Sequence, residues 1–142
     1  MANLLINTAL RFLGSRRPTS LMRLGDISQV SVLLDSDADD VLDAAGMIKD
    51  YFAARGIQLI LYPVRSKKMI RANKDTQVLL SLAPHNSWHL EYVVKRSRAL
   101  FKIGRFQLPG DVFDLVVSDP EGTVYPQAEV FGRMMELVEN LK

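Results

Sequence analysis

A chain of 142 residues falls near the commonest domain size, which predicts one domain with one core that folds without staples. It contains no cysteine, which excludes disulfides, thiolate metal sites and cysteine nucleophiles, and it has the 48% hydrophobic and 24% charged shares of an ordinary globular domain. Net charge is only +2, so the placement of charge matters more than its sum.

That placement is uneven. No acid precedes Asp26, while Arg11, Arg16, Arg17 and Arg23 are basic. Residues 2–13 carry Leu4, Leu5, Ile6, Ala9, Leu10, Phe12 and Leu13 at helix-compatible spacing, followed by a Gly-Ser-Arg-Arg-Pro hinge. The stretch is too short to span a bilayer, and its positive charge follows the apolar part, the reverse of a secretory signal. We read residues 1–24 as a basic amphipathic arm packed on the domain or on a partner, with contact to an anionic membrane surface as the alternative, and residues 25–142 as the α/β domain.

The domain opens on a run too continuous for a half-exposed strand, Gln29 to Leu34, which ends at Asp35. Asp37 is the expected N-cap of the helix that follows, with Asp39 and Asp40 in its first turn. The helix carries the stripe Val41, Leu42, Ala44, Ala45, Met47, Ile48, Tyr51 and Phe52 and stops at Gly56. Ile57 to Tyr62 is the second strand, completing a crossover unit of the right-handed kind. A basic stretch follows, with a short helix expected around Ser66 to Ala72. Val78 to Leu82 is a third strand, and a helix starting near Trp88 carries Leu90, Tyr92, Val93 and Val94. A short strand spans Ala99 to Ile103. Only about ten residues separate it from the run Phe113 to Val117, near the lower limit for a parallel crossover, so an irregular join or an antiparallel edge strand is expected. Pro126 opens a terminal helix with Val130, Phe131, Met134, Met135, Leu137, Val138 and Leu141 on its apolar face. The fold class is therefore α/β: a Rossmann-like three-layer sandwich with a largely parallel sheet of about five strands and an N-terminal amphipathic helix.

The order of these elements, with Leu90-Glu91-Tyr92-Val93, the run Ser97-Arg98-Ala99-Leu100-Phe101-Lys102-Ile103-Gly104 and the final Phe113-Asp114-Leu115-Val116-Val117, resembles a family of short uncharacterised proteins from Bacteroidetes, a domain of unknown function. The resemblance covers residues 28 to 142 and implies a bacterial, cytoplasmic protein. It carries no catalytic residue over.

Asp35-Ser36-Asp37 at a strand end is similar to the nucleophile motif of haloacid-dehalogenase-type phosphatases. There the first carboxylate attacks phosphorus, the second is general acid/base, and Mg²⁺ neutralises the phosphate. Ser81 would then supply the phosphate-binding hydroxyl, Lys95 or Lys102 the lysine, and Asp119 with Asp35 and Asp37 the metal. Asp39 departs from that pattern, standing where Thr or Val belongs, and a helix start explains the same acids without a reaction. Asp35, Asp37 and Asp39 alternate as in a calcium loop, but Asp40 and Gly46 occupy the places of its Gly and Glu. No Gly-rich loop follows the first strand, so dinucleotide and P-loop motifs are lacking. His85 and His89 have Pro84 and a helix start beside or between them and no third ligand at a recognisable spacing.

Trp88 and Tyr92 with Lys95 and Arg96 could stack on and clamp a nucleic acid, but the preferred reading packs both rings on the sheet. Our preferred reading of the whole is a non-catalytic binding or interaction domain without a cofactor. Its alternatives are a magnesium-dependent phosphohydrolase and a nucleic-acid binder, the latter disfavoured. Asp35, Ser81, Gly104, Ser118 and Asp119 are the expected lining of a strand-end crevice. Arg16, Arg17, Lys67, Lys68, Arg71, Lys95, Arg96 and Arg98 are the expected contacts for an anionic partner. A homodimer would pair the basic arm with the acidic cluster around Asp35 to Asp43, in a cytoplasmic protein with optional peripheral membrane contact.

Overall fold

A computed structural model describes residues 27–63, 76–120 and 122–140. The chain runs β1 (Gln29–Leu34), α1 (Val41–Ala53), β2 (Gln58–Pro63), β3 (Val78–Ser81), α2 (Trp88–Arg96), β4 (Phe101–Gly104), β5 (Leu115–Val116) and α3 (Gln127–Asn140). The arm at residues 1–24, the helix expected over Ser66 to Ala72, and Arg16, Arg17, Lys67, Lys68 and Arg71 lie outside the described residues.

The five strands form one sheet in the order β2-β1-β3-β4-β5, every neighbouring pair parallel. This is the doubly wound α/β architecture in one of its two common orders, with the order reversing between β1 and β3. Both faces are covered, which is why apolar residues stand on both sides of the central strands, with Ser31, Ser81 and Lys102 as buried exceptions. Val30, Val32, Leu34, Leu80 and Ile103 pack under α1 and α3. On the other face Leu33, Leu79 and Val116 pack under Leu90, Val93 and Val94 of α2. Tyr51, Phe52 and Phe131 seal the α1–α3 seam edge to face, with ring centroids 5.1 to 5.7 Å apart.

Both ends of α1 follow from local chemistry. At its C-terminus Gly56 takes a left-handed conformation (φ 67°), and the Ile57 N–H returns to the Phe52 carbonyl at 3.0 Å, as the glycine stop predicts. At its N-terminus the expectation needs correction. Asp37 does not cap the helix: it lies in a turn in which its N–H donates to Asp35 Oδ1 (3.1 Å), and the helix begins at Val41 after Asp40. Asp40 makes no side-chain cap to its own helix. Its carboxylate instead accepts from Ala128 N–H (3.3 Å) at the start of α3, where the preceding Pro126 has no side-chain acceptor to offer.

β4 and β5 are parallel, so the edge is not antiparallel, and the join between them is irregular. Leu108 and Phe113, both buried, stand in for a helical stripe on the α2 face. The Gln107 amide fixes the loop by accepting from Phe113 N–H (2.8 Å) and donating to the Phe113 carbonyl (3.1 Å). Phe113 sits against Gly104, where a Cβ would come within 2.5 Å of its ring. Among the described residues no helix is long and apolar enough to cross a membrane.

Candidate functional site

A crevice of about 390 Å³ opens at the C-terminal ends of β1, β3 and β4, beside the reversal in strand order. That is where doubly wound sheets bind ligands, because flanking connections leave in opposite directions and expose the strand ends. Its walls come from the β1–α1 turn (Asp35, Ala38, Asp39, Asp40), from Pro84 after β3, from Arg105 after β4, and from the segment Val124 to Gln127 that enters α3.

Arg105 is the floor. It follows β4 directly, so its side chain emerges at the sheet end, where it is 1% exposed. Its guanidinium ties three strand ends together: Nη1 donates to the Leu82 carbonyl (3.0 Å), and Nη2 to the Tyr125 carbonyl (3.0 Å) and to Asp119 Oδ2. Arg105 Nε and Asp119 Oδ1 are buried without hydrogen-bond partners. Such a pair is held in place by the number of its bonds, since burial of either charge alone is strongly unfavourable.

Gln127 forms one wall in an equally committed way. Its buried amide accepts from Asp35 N–H (2.8 Å) and donates to the Asp35 carbonyl (3.0 Å), extending β1 as a backbone neighbour would. The same amide nitrogen reaches Asp40 Oδ1 at 3.5 Å. Asp35 and Asp40 are thereby half-buried at the rim, with Asp39 exposed beside them. Arg105 is already paired with Asp119, so among the described residues of the lining the three rim carboxylates are the charges left without an ion partner.

Of the residues expected to line this crevice, Asp35 does, and Asp119 lies behind it on Arg105. Ser81 is buried level with Leu33 on the α2 face of the sheet, its hydroxyl without a hydrogen-bond partner. Gly104 leaves room for Phe113 and not for a ligand. Ser118 is half-buried beyond β5 and outside the lining, and Asp37 is exposed in its turn. Lys102, a candidate phosphate lysine, is buried under α2 with Nζ donating to the Val94 carbonyl (2.7 Å). No group of three or more potential ligands that could hold a metal occurs among the described residues. Arg105, Gln127 and Tyr125 were not singled out by the sequence. A charged residue immediately after an apolar parallel strand was the available signal for Arg105, while nothing local marks Gln127.

The other expected cluster is on α2. Ser87 caps this helix by accepting from Leu90 N–H (3.2 Å). Leu90, Val93 and Val94 take the sheet-facing stripe, so Trp88 and Tyr92 do not pack on the sheet as expected; they are 65% and 39% exposed. Trp88 stacks on His89 with centroids 3.9 Å apart, and Arg96 lies over the Tyr92 ring at 4.8 Å while bonding its hydroxyl. Glu91 is held below the ordinary carboxyl range by the Asn86 amide first and by Lys95 second.

Fold and crevice define a doubly wound α/β protein with an acid-rimmed strand-end site. Comparison of the chain with protein-family models, curated proteins and solved structures finds no match.

Proposed function

We propose that the chain is a non-catalytic binding domain whose crevice at the ends of β1, β3 and β4 takes a small organic cation. The observation that carries this reading is the sign of the crevice. Asp35, Asp39 and Asp40 line it, and the one cation among the described residues of its lining, Arg105, is spent on Asp119 and two backbone carbonyls. An ammonium group would meet the three carboxylates at the rim. A phosphate ester would meet the same carboxylates and, among the described residues of the lining, no free cation. Asp37, the general acid of the phosphohydrolase alternative, lies outside the lining.

The Ser97 to Gly104 run supports membership of the Bacteroidetes family and a cytoplasmic location, and the opposite charges of the acid-free segment before Asp26 and the cluster Asp35 to Asp43 support a homodimer.

Thermal-shift titration of the full chain with alkyl mono- and diamines, amino acids and phosphate esters tests the reading, since a ligand that binds only the folded state raises its melting temperature. Stabilisation by amines that is lost in Asp39→Asn is expected. Stabilisation by phosphate esters in the presence of Mg²⁺, with their hydrolysis lost in Asp35→Asn, would replace it with the phosphohydrolase.

A further inference from the structure

The outer face of α2 is a second surface with its own chemistry, on the side of the sheet opposite α1 and α3. Two aromatic rings stand there in solvent, Trp88 at 65% and Tyr92 at 39% exposure, their centroids 6.5 Å apart. Lys95 and Arg96 occupy the last turn of the helix and exposed Arg98 follows it, against the single acid Glu91. Glu91 is itself bonded by Asn86 and Lys95. Arg96 bonds the Tyr92 hydroxyl and covers its ring, a cation placed on an aromatic platform.

We propose that this face binds single-stranded nucleic acid, bases stacking on Trp88 and Tyr92 while Arg96 and Arg98 meet phosphates. The pairing of exposed rings with adjacent guanidiniums is what sequence-tolerant single-strand binding uses, because every base has a π-face and every linkage a negative charge. The basic segment before Asp26 does not complement this face, as it shares its sign. An interfacial membrane helix buries its apolar stripe in lipid, and the α2 stripe is already committed to the core through Leu90, Val93 and Val94.

Trp88 is the only tryptophan in the chain, so its emission reports this face alone. Titrating the full chain with a short oligothymidylate should quench that emission, and raising salt should reverse it. Tyr92→Ala should weaken the affinity roughly 5- to 150-fold, as loss of one stacked base does. Arg96→Gln and Arg98→Gln should each lower the salt slope by about one. Trp88→Phe, followed by anisotropy of a labelled oligonucleotide, should retain binding that Trp88→Ala loses. Absence of quenching would overturn the proposal. So would equal quenching by anionic vesicles, which makes the face a membrane contact, or quenching by protein concentration alone with a doubled mass in light scattering, which makes it a self-association surface.

Discussion

The crevice and the outer face of α2 both gather charge, by opposite means. In the crevice Arg105 is sunk into the sheet end with both Nη atoms bonded to backbone and carboxylate partners, and Asp35 and Asp40 are fixed by the polypeptide around them. On α2 the charges and rings project from a helix whose other side does the packing. Burial therefore divides the charges into those that hold the fold together, Arg105 and Asp119, and those at the surface that can meet a partner, the rim carboxylates of the crevice and the cations of α2. The first class should be felt in stability and the second in binding.

The sharpest break of that comparison is Arg105→Met. It leaves Asp119 as an uncompensated charge beside the orphaned Leu82 and Tyr125 carbonyls, and should lower stability by about 3 to 5 kcal/mol in urea unfolding. Arg105→Met with Asp119→Leu should recover part of that loss, because the buried charge goes with its partner. If the single variant is as stable as the wild type, the staple is not what holds the crevice. Gly104→Ala comes next. The added methyl is driven into the Phe113 ring, and overpacking of about 1 to 3 kcal/mol is expected. Asp40→Ala removes the acceptor that α3 borrows from the β1–α1 turn, for a loss of about 0.5 to 2 kcal/mol. On the other region, Trp88→Ala should change stability by less than about 0.5 kcal/mol, since the ring is exposed and its ring contacts, His89 and Tyr92, belong to its own helix.

The smallest effects are those of pH. The Tyr51 phenol is pushed far above its ordinary value, by burial first and by its hydrogen bond to Glu139 second. Because the folded state favours the protonated phenol, its contribution is complete below the unfolded value of about 10 and is lost as pH climbs beyond it. Tyr51→Phe should remove that alkaline dependence from the unfolding curve. Glu91 runs the other way: its lowered pKa gives a contribution present above the ordinary glutamate range and lost as pH falls through the folded value, so Glu91→Gln should flatten the acid limb slightly.

How far the sequence carried depended on whether a residue's partners were near it in the chain. The unit from β1 through α1 to β2 was legible because its strands are mostly apolar and Gly56 marks a stop that only a residue tolerant of positive φ fills easily. The N-cap was not, since Asp37, Asp39 and Asp40 are equivalent in composition and only the borrowed bond to Ala128 distinguishes Asp40. The run Phe113 to Val117 looked like one strand, yet only Leu115–Val116 pairs. Phe113 turns under Gly104, and Asp114 spends its carboxylate on Lys102 N–H. The α2 aromatics were misplaced because Trp88 and Tyr92 share a helical face just as Leu90, Val93 and Val94 do, and the aliphatic stripe won the sheet. Asp35 could be placed at the crevice from the strand that precedes it. Arg105 and Gln127 could not, as Arg105 meets Leu82 and Tyr125, and Gln127 meets Asp35, across distances in the chain that no local pattern spans.

If the acid-rimmed crevice is a ligand site, backbone-amide NMR of the full chain titrated with putrescine will show it residue by residue. The amides of Asp35, Ala38, Asp39, Asp40 and Gln127 should shift together along one saturable curve, and Asp39→Asn should weaken that curve while leaving the α2 amides still. Shifts confined to α2 or spread evenly over the surface acids, with the crevice amides unmoved at saturation elsewhere, would contradict the account.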